Sequence, residues 1–105
     1  MKSKTIFVDI DGTICTEEMT FERSLAKPLP MALEKVNELY DAGHTIIFWT
    51  ARSWSEFKMT KSWLDKHGFK YHQLLMGKPI ASVFIDDRAI RFEGWDKNYL
   101  SHISK

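Results

Sequence analysis

Apolar and polar positions along the chain fall into short blocks of two kinds, strand-like runs and helix-like repeats. Thr5-Ile6-Phe7-Val8-Asp9-Ile10 is β-branched and aromatic and stops at Asp11-Gly12, as a buried strand running into a turn does. A polar stretch follows over residues 15–30, closed by Pro28 and Pro30. Within residues 31–42, Ala32, Val36, Leu39 and Tyr40 recur at helical spacing, and Gly43 is placed to end that helix. Thr45-Ile46-Ile47-Phe48-Trp49-Thr50 reads as a second buried strand. Ser53 followed by Glu56 is a capping box, which opens a helix running to about His67 with Gly68 as its stop. Residues 71–75 read as a weaker strand, and Ser82-Val83-Phe84-Ile85-Asp86 as a third strong buried one, ending in the pair Asp86-Asp87. The tail over residues 95–103 is read as a short terminal helix.

Strands separated by helices imply right-handed crossovers and a mainly parallel sheet. The expected fold class is therefore α/β, a three-layer α/β/α Rossmann-like arrangement with helices on both faces of the sheet. No repeat, low-complexity tract or linker interrupts the pattern, and 105 residues fit one domain over 1–105. In such sheets the site lies at the carboxyl ends of the strands. The three strong runs all end in small polar or acidic groups: Asp9 and Asp11, Thr50, and Asp86 with Asp87. Parallel strands would bring these groups to one rim.

Composition narrows the picture without changing it. Apolar residues make up 44% of the chain, enough for a core. Fifteen Lys and Arg against 14 Asp and Glu leave a formal charge of +1, which argues against a nucleic-acid-wrapping surface. Cys15 is the sole cysteine, so no internal disulfide forms, in keeping with a reducing cytoplasm. The apolar stretch after Lys4 is too short for a signal peptide, and nothing approaches the roughly 20 apolar residues of a membrane helix. A soluble cytoplasmic protein is expected.

The rim residues suit one chemistry. A phosphate monoester is a dianion and repels a carboxylate nucleophile unless a metal ion and fixed cations offset the charge. Magnesium takes hard oxygen ligands, usually one or two carboxylates with waters and substrate phosphate, and Asp9 and Asp86 are candidates to supply them. Lys78 is the candidate cation; it precedes Pro79, a residue favoured in a first helical turn, where free backbone N–H groups also receive anions. Thr50 can donate its hydroxyl to a phosphate oxygen. Asp11 is placed to serve the leaving oxygen as acid and then a water as base. Gly12 would let backbone amides approach the phosphate closely.

At this point the residues resemble a known family. Asp9-Ile10-Asp11-Gly12-Thr13 is similar to the first motif of the haloacid dehalogenase superfamily, Thr50 to the second, Lys78 to the third and Asp86-Asp87 to the acidic fourth, in the family's order. A lone Asp-x-Asp is weak; four motifs in register are specific. The resemblance implies a haloacid dehalogenase-like core and a magnesium-dependent phosphatase working through an aspartyl-phosphate. It makes Asp9 the nucleophile and Asp11 the acid/base. Thr50 and Lys78 would bind phosphate, with Gly12, Ala51 and Arg52 beside them. Asp9, the Asp11 carbonyl and Asp86 would hold Mg2+, with Asp87 an alternative or outer ligand. Larger members insert a cap domain, for which the gaps here are too short. The chain thus resembles capless members encoded with capsule or lipopolysaccharide biosynthesis enzymes, some of which borrow a lid from a neighbouring subunit in a homo-oligomer.

Blander readings compete at each position. An Asp-Gly pair is most often only a turn. Arg52 and Arg88 flank the rim and can bind substrate, yet a solvated or carboxylate-paired arginine is at least as common. Trp49 and Trp63 read as packing residues, and Trp54, just past Arg52, as a candidate substrate wall. The four histidines lack metal-ligand spacing and read as surface or capping residues, and Cys15 as a buried thiol. The expected substrate is a small phosphorylated metabolite or sugar phosphate. A macromolecular phosphate substrate, or a silent binding module on the same fold, are the alternatives.

Overall fold

A computed structural model describes residues 2–103, apart from the Leu100 side chain. Three strands, β1 (Thr5–Val8), β2 (Thr45–Trp49) and β3 (Gln73–Leu75), form one sheet in the order β1-β2-β3, every pair parallel. Helix α1 (Ala32–Asp41) joins the first two strands and α2 (Phe57–His67) the second and third; α3 (Tyr99–Ile103) closes the described chain. Short 3₁₀ segments, Thr20–Leu25 and Trp54–Glu56, precede α1 and α2. The α/β class and the parallel sheet agree with the pattern of the sequence. Among the described residues no helix is long and apolar enough to cross a membrane.

The local reasons are those the sequence offers. Helix α1 buries Ala32, Val36 and Leu39, one face of a helical repeat, and the chain turns out of it through Gly43 at φ +96°. Its start is less comfortable: Met31 sits at φ +66° with no side-chain cap, a left-handed conformation that costs a non-glycine residue about 1–2 kcal/mol. The capping box of Ser53 and Glu56 forms and leads into α2, which stops at Gly68 in the left-handed conformation.

A sheet ordered β1-β2-β3 by right-handed crossovers carries both connecting helices on the same face. The core shows this. Ile46 and Phe48 of β2, with Val8 and Leu74 from the flanking strands, share one cluster with Val36 and Leu39 of α1 and Trp63 and Leu64 of α2. Ile47 points the other way, where Phe7 packs edge-to-face on Trp49 at 5.6 Å yet stays 51% exposed. On that face Phe84, from the non-helical chain after β3, lies with Trp49 around the Lys78 ammonium.

That same stretch departs most from expectation. Residues 82–86 form no strand: Ile85 is fully exposed, Val83 73% and Phe84 50%. Apolar, β-branched composition favours a strand but does not make one without a pairing edge and a covered face. Here the local alternative wins, as the Asp86 carboxylate accepts the Arg88 N–H at 2.8 Å and turns the chain on itself. Nor does Pro79 begin a helix; the chain stays irregular until α3. The terminal helix is present but starts later than the sequence indicates, at Tyr99.

Candidate active site

The parallel strands bring Asp9, Thr50 and Lys78 to one rim. Asp9 follows β1, Thr50 follows β2, and Lys78 lies just past β3. Backbone bonds fasten the rim together: Thr50 N–H to Leu75 O (3.0 Å), Lys78 N–H to Thr50 O (2.8 Å) and Gly77 N–H to Arg52 O (3.0 Å). The Asp9 side chain is 37% exposed, with Lys78 Nζ 3.8 Å from Oδ1 and the Thr13 hydroxyl donating to Oδ2 at 3.3 Å. Lys78 Nζ also stands 5.1 Å from the Trp49 ring centre and 5.3 Å from that of Phe84. A cation held between two ring faces keeps its position beside the carboxylate.

Arg52 is not a solvated rim residue. Its guanidinium is buried and grips Asp11 with two bonds, Nε to Oδ2 at 2.9 Å and Nη2 to Oδ1 at 2.7 Å, while Nη1 donates to Thr60 at 3.0 Å. Burial works against the guanidinium charge, but the hydrogen bonds and charge of Asp11 outweigh it and raise the pKa of Arg52 above its ordinary value. Of the two roles the sequence left open for this residue, carboxylate pairing is the one formed. Its consequence is that Asp11 is aimed by an arginine from the neighbouring strand end. Thr60, on α2, has no signature in the sequence that links it to the site. Ala51, between Thr50 and Arg52, is exposed. The Thr50 hydroxyl accepts the Arg52 N–H at 3.2 Å, which leaves its own proton to donate.

Gly12 plays a different part from the one expected. Its N–H is spent on Cys15 O at 2.9 Å, and those of Thr13 and Ile14 both go to Ile10 O, so these amides close their own turn. Glycine is required there because φ is +77° and a Cβ would meet Glu17 Oε1 at 2.8 Å. Cys15 packs beneath the turn. Burial, and then the charge of Asp11, push its thiol up to about 12, so it is no thiolate nucleophile. Two histidines are backbone partners: Nδ1 of His44 accepts the Lys4 N–H and Nδ1 of His72 that of Ile46, each at 3.0 Å. His44 is buried, deeper than a surface reading allows.

Asp86 and Asp87 are not brought to this rim as a ligand set. Both are exposed; Asp86 caps Arg88 N–H and Asp87 lies 4.0 Å from Arg88 Nε. Among the described residues no three His, Cys, Asp or Glu side chains gather as a metal site. Of the groups expected to hold magnesium, Asp9 and the Asp11 backbone stand at the rim while Asp86 and Asp87 do not, so the described residues do not complete the expected ligand set.

A model of the family described as the LNS2 domain of PITM 1-3 matches residues 6–92, which contain all the candidate residues. The chain belongs to the LNS2 domain family. That family has the haloacid dehalogenase-like fold that the four motifs resemble. A crystal structure of an MCSG target from Vibrio cholerae is similar to this LNS2 chain over 84% of its length and 83% of the target's, with a TM-score of 0.72 and 29% identity. A chain in a structure of a Pnkp1/Rnl/Hen1 complex shares the fold alone, at a TM-score of 0.64 and 18% identity over 80% of this chain and 30% of that one. A Bacillus cereus protein named "Putative nucleotidase" is 41% identical over 46 residues, 44% of this chain. The chain spans about a quarter of that protein's length, 24%.

Proposed function

We propose that this LNS2 domain hydrolyses a phosphate monoester of a small metabolite or sugar, with Asp9 as the phosphoryl acceptor. One observation carries the reading: a part-exposed carboxylate at the rim of a parallel sheet, with Lys78 Nζ 3.8 Å away and the Thr50 strand end tied to Lys78 through its backbone. The ammonium offsets repulsion between Asp9 and the dianion, and the Thr50 hydroxyl donates to a phosphate oxygen. In the first step an Asp9 oxygen bonds to phosphorus as the bond to the leaving oxygen breaks, and the electron pair departs with that oxygen. In the second, water attacks the aspartyl-phosphate and gives its proton to Asp11, releasing inorganic phosphate and the Asp9 carboxylate. Asp11 can act as acid in the first step only by giving up part of its pairing with Arg52. Magnesium, and a link to capsule or lipopolysaccharide biosynthesis, enter this proposal by resemblance only.

The test is release of phosphate from an aryl phosphate with and without magnesium. Asp9→Asn is expected to remove turnover by at least about a thousandfold while leaving the melting curve in place. Undiminished activity in that variant would overturn the covalent route. A wild type that releases no phosphate from any of a broad set of metabolites would instead favour a silent binding module.

A further inference from the structure

Single exposed apolar residues are ordinary on protein surfaces and call for no explanation. Trp54 is different because it is exposed and fixed at once. It is 58% exposed, whereas Trp63 and Trp95 are buried and donate their indole N–H groups to Ala26 O (2.8 Å) and Thr13 O (2.6 Å). Among the described residues Trp54 Nε1 has no such acceptor. Yet the turn that carries it is tethered three ways: by the capping box of Ser53 and Glu56, by Arg23 gripping both Glu56 oxygens at 2.7 and 2.9 Å, and by the backbone of Arg52 on Gly77. One face of the indole stacks on Phe57, with centroids 5.8 Å apart and planes 18° from parallel. Its edge faces the rim. A methyl group on Gly77 would stand 3.5 Å from Nε1, and Gly77 immediately precedes the lysine that faces Asp9.

We infer that Trp54 forms the wall of the substrate site that takes a planar aromatic group on the phosphate ester, the base of a nucleoside monophosphate or the ring of an aryl phosphate. The inference rests on the phosphatase reading for where the phosphoryl group sits. An aromatic held rigidly before binding loses little conformational entropy when a ring stacks on it, and its N–H remains open for an acceptor on that ring. Position supplies the specificity, since the wall adjoins the residue that orients the phosphate.

The experiment compares kcat/KM for a nucleoside monophosphate, an aryl phosphate and glycerol phosphate in wild type, Trp54→Ala and Trp54→Phe. The wild type is expected to prefer an aromatic ester over glycerol phosphate; whether the nucleoside or the aryl ester gains identifies the source of the ring. Trp54→Ala should cut that preference about tenfold, mainly through KM, as loss of one base–aromatic stack does. Trp54→Phe should restore most of it. A variant that lowers all three substrates alike, or leaves the ratio unchanged, overturns the wall. Should no phosphate be released at all, the phosphatase reading fails, and binding still decides this inference. A nucleoside monophosphate or aryl phosphate must then quench indole fluorescence in wild type and not in Trp54→Phe, and an absence of quenching overturns the proposal.

Discussion

Two stretches of this chain have nearly the same sequence grammar and opposite fates. Residues 5–9 and residues 82–86 are both short β-branched and aromatic runs closed by an aspartate. The first becomes β1, paired in parallel with β2 from Thr5↔Thr45 to Val8↔Phe48, its Val8 buried in the main cluster. The second pairs with nothing in the sheet and leaves Ile85 fully exposed. Composition does not separate them. What differs is the neighbourhood: α1 returns the chain directly beside β1, and both faces of β2 are covered. Residues 82–86 follow a sheet whose last connection has already been made. A strand is thus a property of a pairing, and a run of strand-forming residues is only eligible for one.

Substitutions in the two halves turn that contrast into measurements. The largest effect is expected from Phe48→Ala, which empties a fully buried site at the centre of the sheet and should cost about 3–5 kcal/mol in denaturant unfolding. Arg52→Ala comes next: removing the buried partner of Asp11 should cost about 3 kcal/mol and lower activity as well, with Arg52→Lys recovering only part because one ammonium cannot replace the two-bond grip. Gly12→Ala should lose about 1–2 kcal/mol, since it must hold φ +77° and displace the Glu17 carboxylate. Smallest is Ile85→Ala, expected within about 0.5 kcal/mol of wild type. This last measurement can break the comparison. A loss as large as that of Phe48→Ala would mean that residues 82–86 are buried in solution after all.

The first three quarters of the fold were readable because each element carries its own local signal. The helical stripe Ala32, Val36, Leu39, the glycine stops and the capping box are decided within a few residues of themselves. The rim was readable for a related reason, since parallel strands of similar direction put Asp9, Thr50 and Lys78 at the same end. What was not readable is which partners meet across different elements. Arg52 lies on Asp11 and Thr60, and no spacing rule announces either pairing. Residues 82–87 failed for the opposite reason. Their local signal was strong, and nothing within it indicates whether a sheet edge is at hand to receive them. The acidic pair went astray with the strand that was to carry it.

Trp95 gives the exposed stretch a meaning of its own. Its indole N–H reaches back to the carbonyl of Thr13 at 2.6 Å, while at the other end Lys78 N–H is fastened to Thr50 O. The chain between these two clasps is therefore a closed loop, with both ends anchored near the nucleophile, and within it Phe84 and Phe92 are the side chains tied to the rim and the core. For a flexible loop, doubling its length costs only about 0.6 kcal/mol in closure entropy. Residues added at its exposed positions, such as Val83 or Ile85, would therefore lengthen the loop at little cost while β1 and its pairing with β2 stayed in place.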